Sequence, residues 1–357
     1  MSPDDSTRDP DEINADLDIP DFDQPLQPID PEAETMEIDL ELVDKLRNTP
    51  IFHGVSEAGL IILSRTCQEV VKFQGQTLFE KDIRTNGFYL NQIAGQVIEV
   101  IFGEDFADTH ELKENEPIGQ FNALDGINLA VRFSPSTTVK TKSTLRLLFF
   151  DKNLQDLGLS TTDLSQIIKN IIVDADYLQY ANDLAQSTES PVFPPVVQSD
   201  YFPQGAERTS SITYNFLSQG DPVQPKTGHF VYCVDGMLTV TSGNQIVGKI
   251  SDGGIAFEHW AIASTENPDT PLPPVSITSN QGSNILEISF EDDNRTPEEQ
   301  LHILVALAKA AQSKVIMMNQ KVSRAIGKDR AADAASIRGQ LSRLPVIGPA
   351  LGKLLES

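Results

Sequence analysis

Apolar and polar positions alternate in short runs over most of the chain, and glycine-centred turns separate the runs. In the first half the runs are VVKFQ, TLFEK, FYLNQIA, QVIEVIF, ENEPIG, STTVKT and LRLLFF, with Gly75, Gly95 and Gly103 between several of them. Period-two alternation and β-branched content are clearest in QVIEVIF and LRLLFF, as expected of half-buried strands. Strands at this spacing predict a barrel or jelly roll rather than a parallel sheet. Two helices precede them. MEIDLELVDKLRNTPIF reads as a helix that stops before Pro50, because the residue before a proline is pushed out of the helical region. SEAGLIILSRTCQEV reads as a second, with Ser56 as its N-cap. A further helix is expected from Thr161 to Ala185, since Leu164, Ile168, Ile171, Ala175 and Leu178 recur at helical spacing.

The proline-rich linker STESPVFPPVVQS follows, and then the strand pattern returns: ITYNFLS, Gly220-Asp221, HFVYCV, Gly236, MLTVTS, a Gly243-Asn244 turn, QIVGKI, VSITS and ILEISF. A repeat of this length is a duplicated domain rather than a solenoid unit. The last predicted element is a long helix. Thr296 is its N-cap, Pro297 occupies the first turn and Glu299 completes a capping box. The reading is therefore a mainly β chain with flanking helices. Two tandem jelly-roll (double-stranded β-helix) domains, 36–187 and 188–295, lie between an acidic disordered tail (1–35) and a C-terminal helical segment and tail (296–357).

Charge sharpens this division. The protein's 357 residues carry a net charge of -25. Residues 1–41 hold 15 acidic side chains and one basic one, whereas residues 295–357 hold ten basic and five acidic. A segment this acidic and proline-rich cannot offset its ordering cost by burial, so the tail is expected to be disordered. Nucleic-acid affinity rests on cationic neutralisation of phosphates, and this charge balance argues against it. The residues after the closing helix are too few for a winged helix. No run of roughly 18 apolar residues is present to span a bilayer. The first residues lack a basic start followed by an apolar stretch, so a cytoplasmic protein is expected.

Chemistry-bearing motifs are sparse. Cys67 and Cys233 stand alone, and none of the five histidines forms an HxH or HxxxH pair, so no metal is expected. There is no P-loop and no GxSxG elbow, and the expectation is a protein that is not an enzyme.

Phe73-Gln74-Gly75 and Thr77-Leu78-Phe79, then Phe88-Tyr89-Leu90, then Gly95-Gln96-Val97, resemble the turn and strand hallmarks of the cyclic-nucleotide-binding domain family. Gln219-Gly220-Asp221, Phe230-Val231-Tyr232 and Gly236-Met237-Leu238 repeat them more loosely. The resemblance implies a β-roll closed by helices, and a cassette in which Gly-Glu binds a ribose hydroxyl while Arg neutralises a cyclic phosphate. Gly119 is kept, but Gln120 takes the Glu position and Pro135 the Arg position, with Ser136 and Thr137 beside it. Arg132 lies three residues upstream. In the second half Glu258 takes the Glu position after Phe257, and no Arg or Lys occurs between Lys249 and Arg295. Both cassettes read as degenerate. The candidate ligand residues are Gly119, Gln120, Arg132, Ser136, Thr137 and Glu258, with a cyclic nucleotide as the ligand the family implies and no cofactor otherwise expected.

Leu301, Leu304, Ala308, Ala311, Val315, Met318 and Val322 fall at alternating spacings of three and four, a heptad seam. Leu301, Leu304, Val315, Met318 and Val322 are thus candidate partner contacts, for a homodimer or another protein, with the acidic tail as a second docking segment. The alternative is that the stripe packs on the chain's own barrel. The expected function is a non-catalytic regulatory or scaffold protein acting by protein–protein contact. The competing expectation is a sensor that binds a cyclic nucleotide or another small anion in a rearranged first pocket.

Overall fold

Helix formation begins where the capping chemistry allows it. Asp39 accepts a hydrogen bond from the Leu42 amide and opens α1 (Leu40–Arg47). A 3-10 turn at Pro50–Phe52 follows, and Ser56 caps α2 (Glu57–Thr66) by accepting from Gly59 N at 3.1 Å. The computed structural model describes residues 38–174, 192–193 and 212–328, apart from 86, 102–106, 126, 128–132, 134, 136, 274 and 292–294. The acidic tail, the predicted helix beyond Asp174 and the residues after Lys328 lie outside the described residues.

The first barrel contains β1 (Cys67–Lys72), β2 (Thr77–Phe79), β3 (Phe88–Asn91), β4 (Gln96–Ile101), β5 (Ala107–Leu112), β6 (Pro117–Ile118), β7 (Thr138–Thr141) and β8 (Leu145–Phe150). They form two four-stranded antiparallel sheets, ordered β1-β8-β3-β6 and β2-β7-β4-β5. Helix α3 (Thr161–Asp174) buries Leu164, Ile167, Ile168, Ile171 and Ile172 in the core shared with α1 and α2.

The second barrel repeats this order with fewer, longer strands: β9 (Val192–Phe193), β10 (Ile212–Leu217), β11 (His229–Ser242), β12 (Gln245–Ser251), β13 (Ile255–Ala256) and β14 (Ser276–Ser289), with α4 (Glu258–Glu266) between the last two. HFVYCV and MLTVTS, expected as separate strands, form one bent strand, β11; VSITS and ILEISF likewise merge in β14. Register shifts near Cys233 and Gly236 mark the bend. The sequence marks the corner with Gly236, whose φ of 91° favours glycine, but the ladder continues through it.

The duplication holds residue by residue. Phe88 pairs with Phe150 and Tyr89 with Ile118 in the first barrel; Phe230 pairs with Ile288 and Val231 with Ala256 in the second. Gly75 N donates to Thr141 O at 2.8 Å, and Gly220 N donates to Ser279 O at the same distance. The fold is mainly β, with two β-rolls in tandem and flanking helices.

The chain closes with α5 (Pro297–Lys328). Its capping box forms as the sequence predicts, with Glu299 N donating to Thr296 Oγ1 at 3.2 Å and Thr296 N donating to Glu299 Oε2 at 2.9 Å. The heptad seam requires a correction. Leu304, Ala308 and Ala311 are buried in this chain's own core, and Leu301 and Val315 pack against that core half-buried. Leu304 is thus core rather than a partner contact. The side chains of Met318 and Val322 lie outside the described part.

Candidate functional site

In each barrel a short strand hands over to a helical turn through a residue in the left-handed conformation. Gly119 (φ 79°) follows β6 and caps the 3-10 turn Gln120–Leu124; Phe257 (φ 65°) follows β13 and caps α4. The next residue is Gln120 in one barrel and Glu258 in the other, the positions that the sequence aligns. Gly119 is needed for space as well as for conformation, because a Cβ there would come within 2.4 Å of the Phe79 ring.

A cavity of about 540 Å³ opens in the first barrel. Phe79, Ile98, Val100, Ile118 and Val139 supply apolar wall, while Gly119, Gln120, Pro135 and Thr137 supply the cassette side. Three of the expected ligand residues, Gly119, Gln120 and Thr137, therefore line one space. Arg132 and Ser136 lie outside the described residues. Gln312, Val315 and Ile316 of α5 line the same cavity, although they come from the far end of the sequence.

The charged part of the lining is mainly acidic. Glu114, Glu116 and Asp174 face it with Lys113 as the basic side chain among the described residues. His110 is 3% exposed, and its Nε2 lies 2.6 Å from Glu116 Oε1. Glu116 Oε2 accepts from Lys113 N at 2.7 Å. Asn91 fixes this loop, donating from Nδ2 to Lys113 O at 2.8 Å and from its amide to Glu116 O at 3.0 Å. His110 Nδ1 is buried without a hydrogen-bond partner. Asp174 ends the described part of α3. Although Asp174 is solvent-exposed, the atoms packed around its carboxyl push it up, Glu116 pushes it further, and Lys113 opposes both.

The second cassette is already satisfied from within. Lys314 Nζ donates to Glu258 Oε1 at 2.6 Å and to Oε2 at 2.7 Å, and both side chains are almost wholly buried. This corrects two sequence expectations. The segment around Glu258 does have a cation, delivered by α5 from 56 residues away, and the Glu258 carboxylate is held by Lys314 rather than left open for a ribose hydroxyl. The signal was present: Ile303, Leu307, Ala310 and Lys314 recur at helical spacing, so Lys314 lies on a buried stripe and must find a carboxylate there. Trp260 sits two residues further along α4, 5% exposed and edge-on to Phe257, and donates from Nε1 to Thr270 O at 3.3 Å.

Helix α5 also grips the first cassette. The Lys309 ammonium lies 5.2 Å from the Phe133 ring centre and donates to Gln312 Oε1 at 2.8 Å. Burial lowers the Lys309 pKa, and the nearby Asp125 carboxylate partly restores it. Asp125, itself buried, accepts from Phe133 N at 3.1 Å and from Arg84. One helix thus touches both cassettes within two turns.

Among the described residues, no cluster suited to a metal ion occurs and no helix is long and apolar enough to cross a membrane. No family model and no curated protein matches the chain. Solved structures similar to it include PfPKA-R with cAMP bound, at 11% identity and a TM-score of 0.32, covering 85% of this chain and 95% of that one. The regulatory domain of Toxoplasma gondii PKA with cAMP matches at 12% identity and a TM-score of 0.31, covering 77% and 95%. The regulatory subunit of a cAMP-independent protein kinase A from Trypanosoma cruzi, bound to guanosine, matches at 12% and 0.31, covering 84% and 95%. At these scores the fold assignment stands on the strand order and register of the chain itself.

Proposed function

We propose that the chain is a non-catalytic regulatory protein in which the first barrel receives a small molecule and α5 carries its occupancy to the second barrel. One observation carries this reading. Gln312, Val315 and Ile316 line the first cavity, while Lys314, in the same helical turn, is ion-paired to Glu258 of the second cassette. A ligand that moves this turn acts on a buried ion pair, and such a pair is sensitive to small displacements because its charges have no water to fall back on. The cavity size falls within the range of about 300–1,000 Å³ usual for small-molecule sites.

The scaffold reading is less favoured. Its main surface, the seam through Leu304, is packed in the chain's own core. The acidic tail, its other surface, lies outside the described residues.

Trp260 is the protein's single tryptophan and shares α4 with Glu258, so its fluorescence reports on the second cassette. Val139→Phe places extra volume in the first cavity, where Val139 lines the wall from β7. The reading expects a shifted Trp260 emission in this variant with the β-sheet circular dichroism retained. Emission identical to that of the unmodified protein would contradict it.

A further inference from the structure

We infer that the first-barrel cavity takes a neutral, mainly apolar molecule, a flat ring system with at most one polar end, in place of an anionic nucleotide. The inference rests on the regulatory reading above, which gives the cavity a ligand, and adds the chemical class of that ligand.

The walls come first. Phe79, Ile98, Val100, Leu112, Ile118 and Val139 line the cavity from β2, β4, β5, β6 and β7, and all six belong to one buried apolar cluster. Val315 and Ile316 of α5 add apolar lining from the helix. Lys113, Glu114 and Asp174, by contrast, are exposed to solvent, where water screens their charges. A phosphate set among these walls loses hydration that carbon cannot replace. A neutral ring system gains from leaving water for the same surface.

The polar lining gives a separate observation, because much of it is engaged within the protein. Glu116 Oε1 lies 2.6 Å from His110 Nε2, and its Oε2 accepts from Lys113 N at 2.7 Å. Gln312 Oε1 accepts from Lys309 Nζ at 2.8 Å. These oxygens hold the surrounding loop and helix in place and leave the ligand to be recognised by shape. The glycine turn points the same way. The Phe79 ring packs so closely on Gly119 that an added Cβ would come within 2.4 Å of it. A flat ring laid against this end of the cavity therefore meets another ring, and aromatic pairs favour that contact. Gln120 and Thr137 line the cassette side and supply a carboxamide and a hydroxyl, enough for one polar end.

The test is isothermal titration of the full chain at two temperatures with indole and 2-naphthol, using cAMP and adenosine as anionic and polar comparisons. The inference expects one ring compound to bind per chain, more tightly than cAMP or adenosine, with a negative heat-capacity change and no loss of affinity as salt is raised. Val139→Phe fills the cavity wall and should abolish this binding. Val139→Thr keeps the branched shape but puts a hydroxyl on the wall, and should weaken binding about three-fold or more. Binding of cAMP or adenosine in preference to both ring compounds would overturn the assigned class while leaving the regulatory reading in place. Ring-compound binding that ignores both substitutions would also overturn it, as adventitious. So would the absence of heat with either ring compound from protein with native circular dichroism. The Trp260 response to Val139→Phe needs no ligand, so its failure is read separately.

Discussion

Lys314 Nζ lies 2.6 Å and 2.7 Å from the two carboxylate oxygens of Glu258, and the two side chains are 2% and 1% exposed. An ion pair this dry is weak evidence of net stabilisation, because desolvating both charges offsets most of their attraction. Removing one partner is another matter, since it strands the other charge in the interior.

Lys314→Met is therefore expected to destabilise the protein by about 3–5 kcal/mol, a fall in Tm on the order of 10 °C. Adding Glu258→Gln should recover most of the loss. Differential scanning calorimetry of the single and double variants checks both statements.

The link between α2 and α3 sets part of the acid limit. Asp163 accepts from Ser56 N at 2.7 Å, Ser56 Oγ at 2.9 Å and Ser160 Oγ at 2.7 Å. Burial alone would push this carboxyl up, but the three hydrogen bonds outweigh it and leave the group below the usual carboxylate range. A depressed folded value gives stability that is present above the unfolded pKa and lost as pH falls through the folded one. Asp163→Asn should cost about 1.5–3 kcal/mol at neutral pH and flatten the loss below it. Urea midpoints measured across the acid range decide this.

Gly119→Ala tests the turn that opens the first cassette. An added Cβ meets the Phe79 ring and forces a left-handed residue to carry a side chain. The expected cost is about 1–3 kcal/mol from the backbone alone, with Phe79 displaced in addition. Phe257 tolerates the same conformation because its own ring is buried against Trp260. Guanidinium unfolding of Gly119→Ala reads the loss.

Both thiols should be slow to react. Burial pushes Cys67 up to about 11 and Cys233 up to about 12, and both are free. Since the thiolate is the nucleophile, Ellman's reagent at neutral pH should modify the native protein about ten-fold or more slowly than the guanidinium-unfolded chain.

Much of the fold was legible because it follows from local rules. The Ser56 cap, the Thr296–Glu299 capping box and the β-branched runs at Gln96–Ile101 and Leu145–Phe150 each depend on neighbours within a few residues. The aligned pair Gly119-Gln120 and Phe257-Glu258 was legible too, because both halves keep the same strand-to-helix handover. What escaped was non-local. Lys314 reaches Glu258 across 56 residues, and Gln312, Val315 and Ile316 enter a cavity built by strands some two hundred residues earlier. A cation search confined to the cassette therefore misses the cation that matters. His110 and Glu116 escaped for a different reason: their pairing depends on the Asn91 contacts that place the loop, and neither residue type alone marks a site.

The central claim is that one turn of α5 couples the first cavity to the second cassette, and a double-mutant cycle between Val139→Phe and Lys314→Met measures it most directly. The unfolding free energies of the four proteins should be non-additive by about 0.5 kcal/mol or more, although one side chain belongs to β7 of the first barrel and the other to α5. Additivity within about 0.3 kcal/mol would mean that the cavity and the Glu258–Lys314 pair do not sense each other, and would contradict the account.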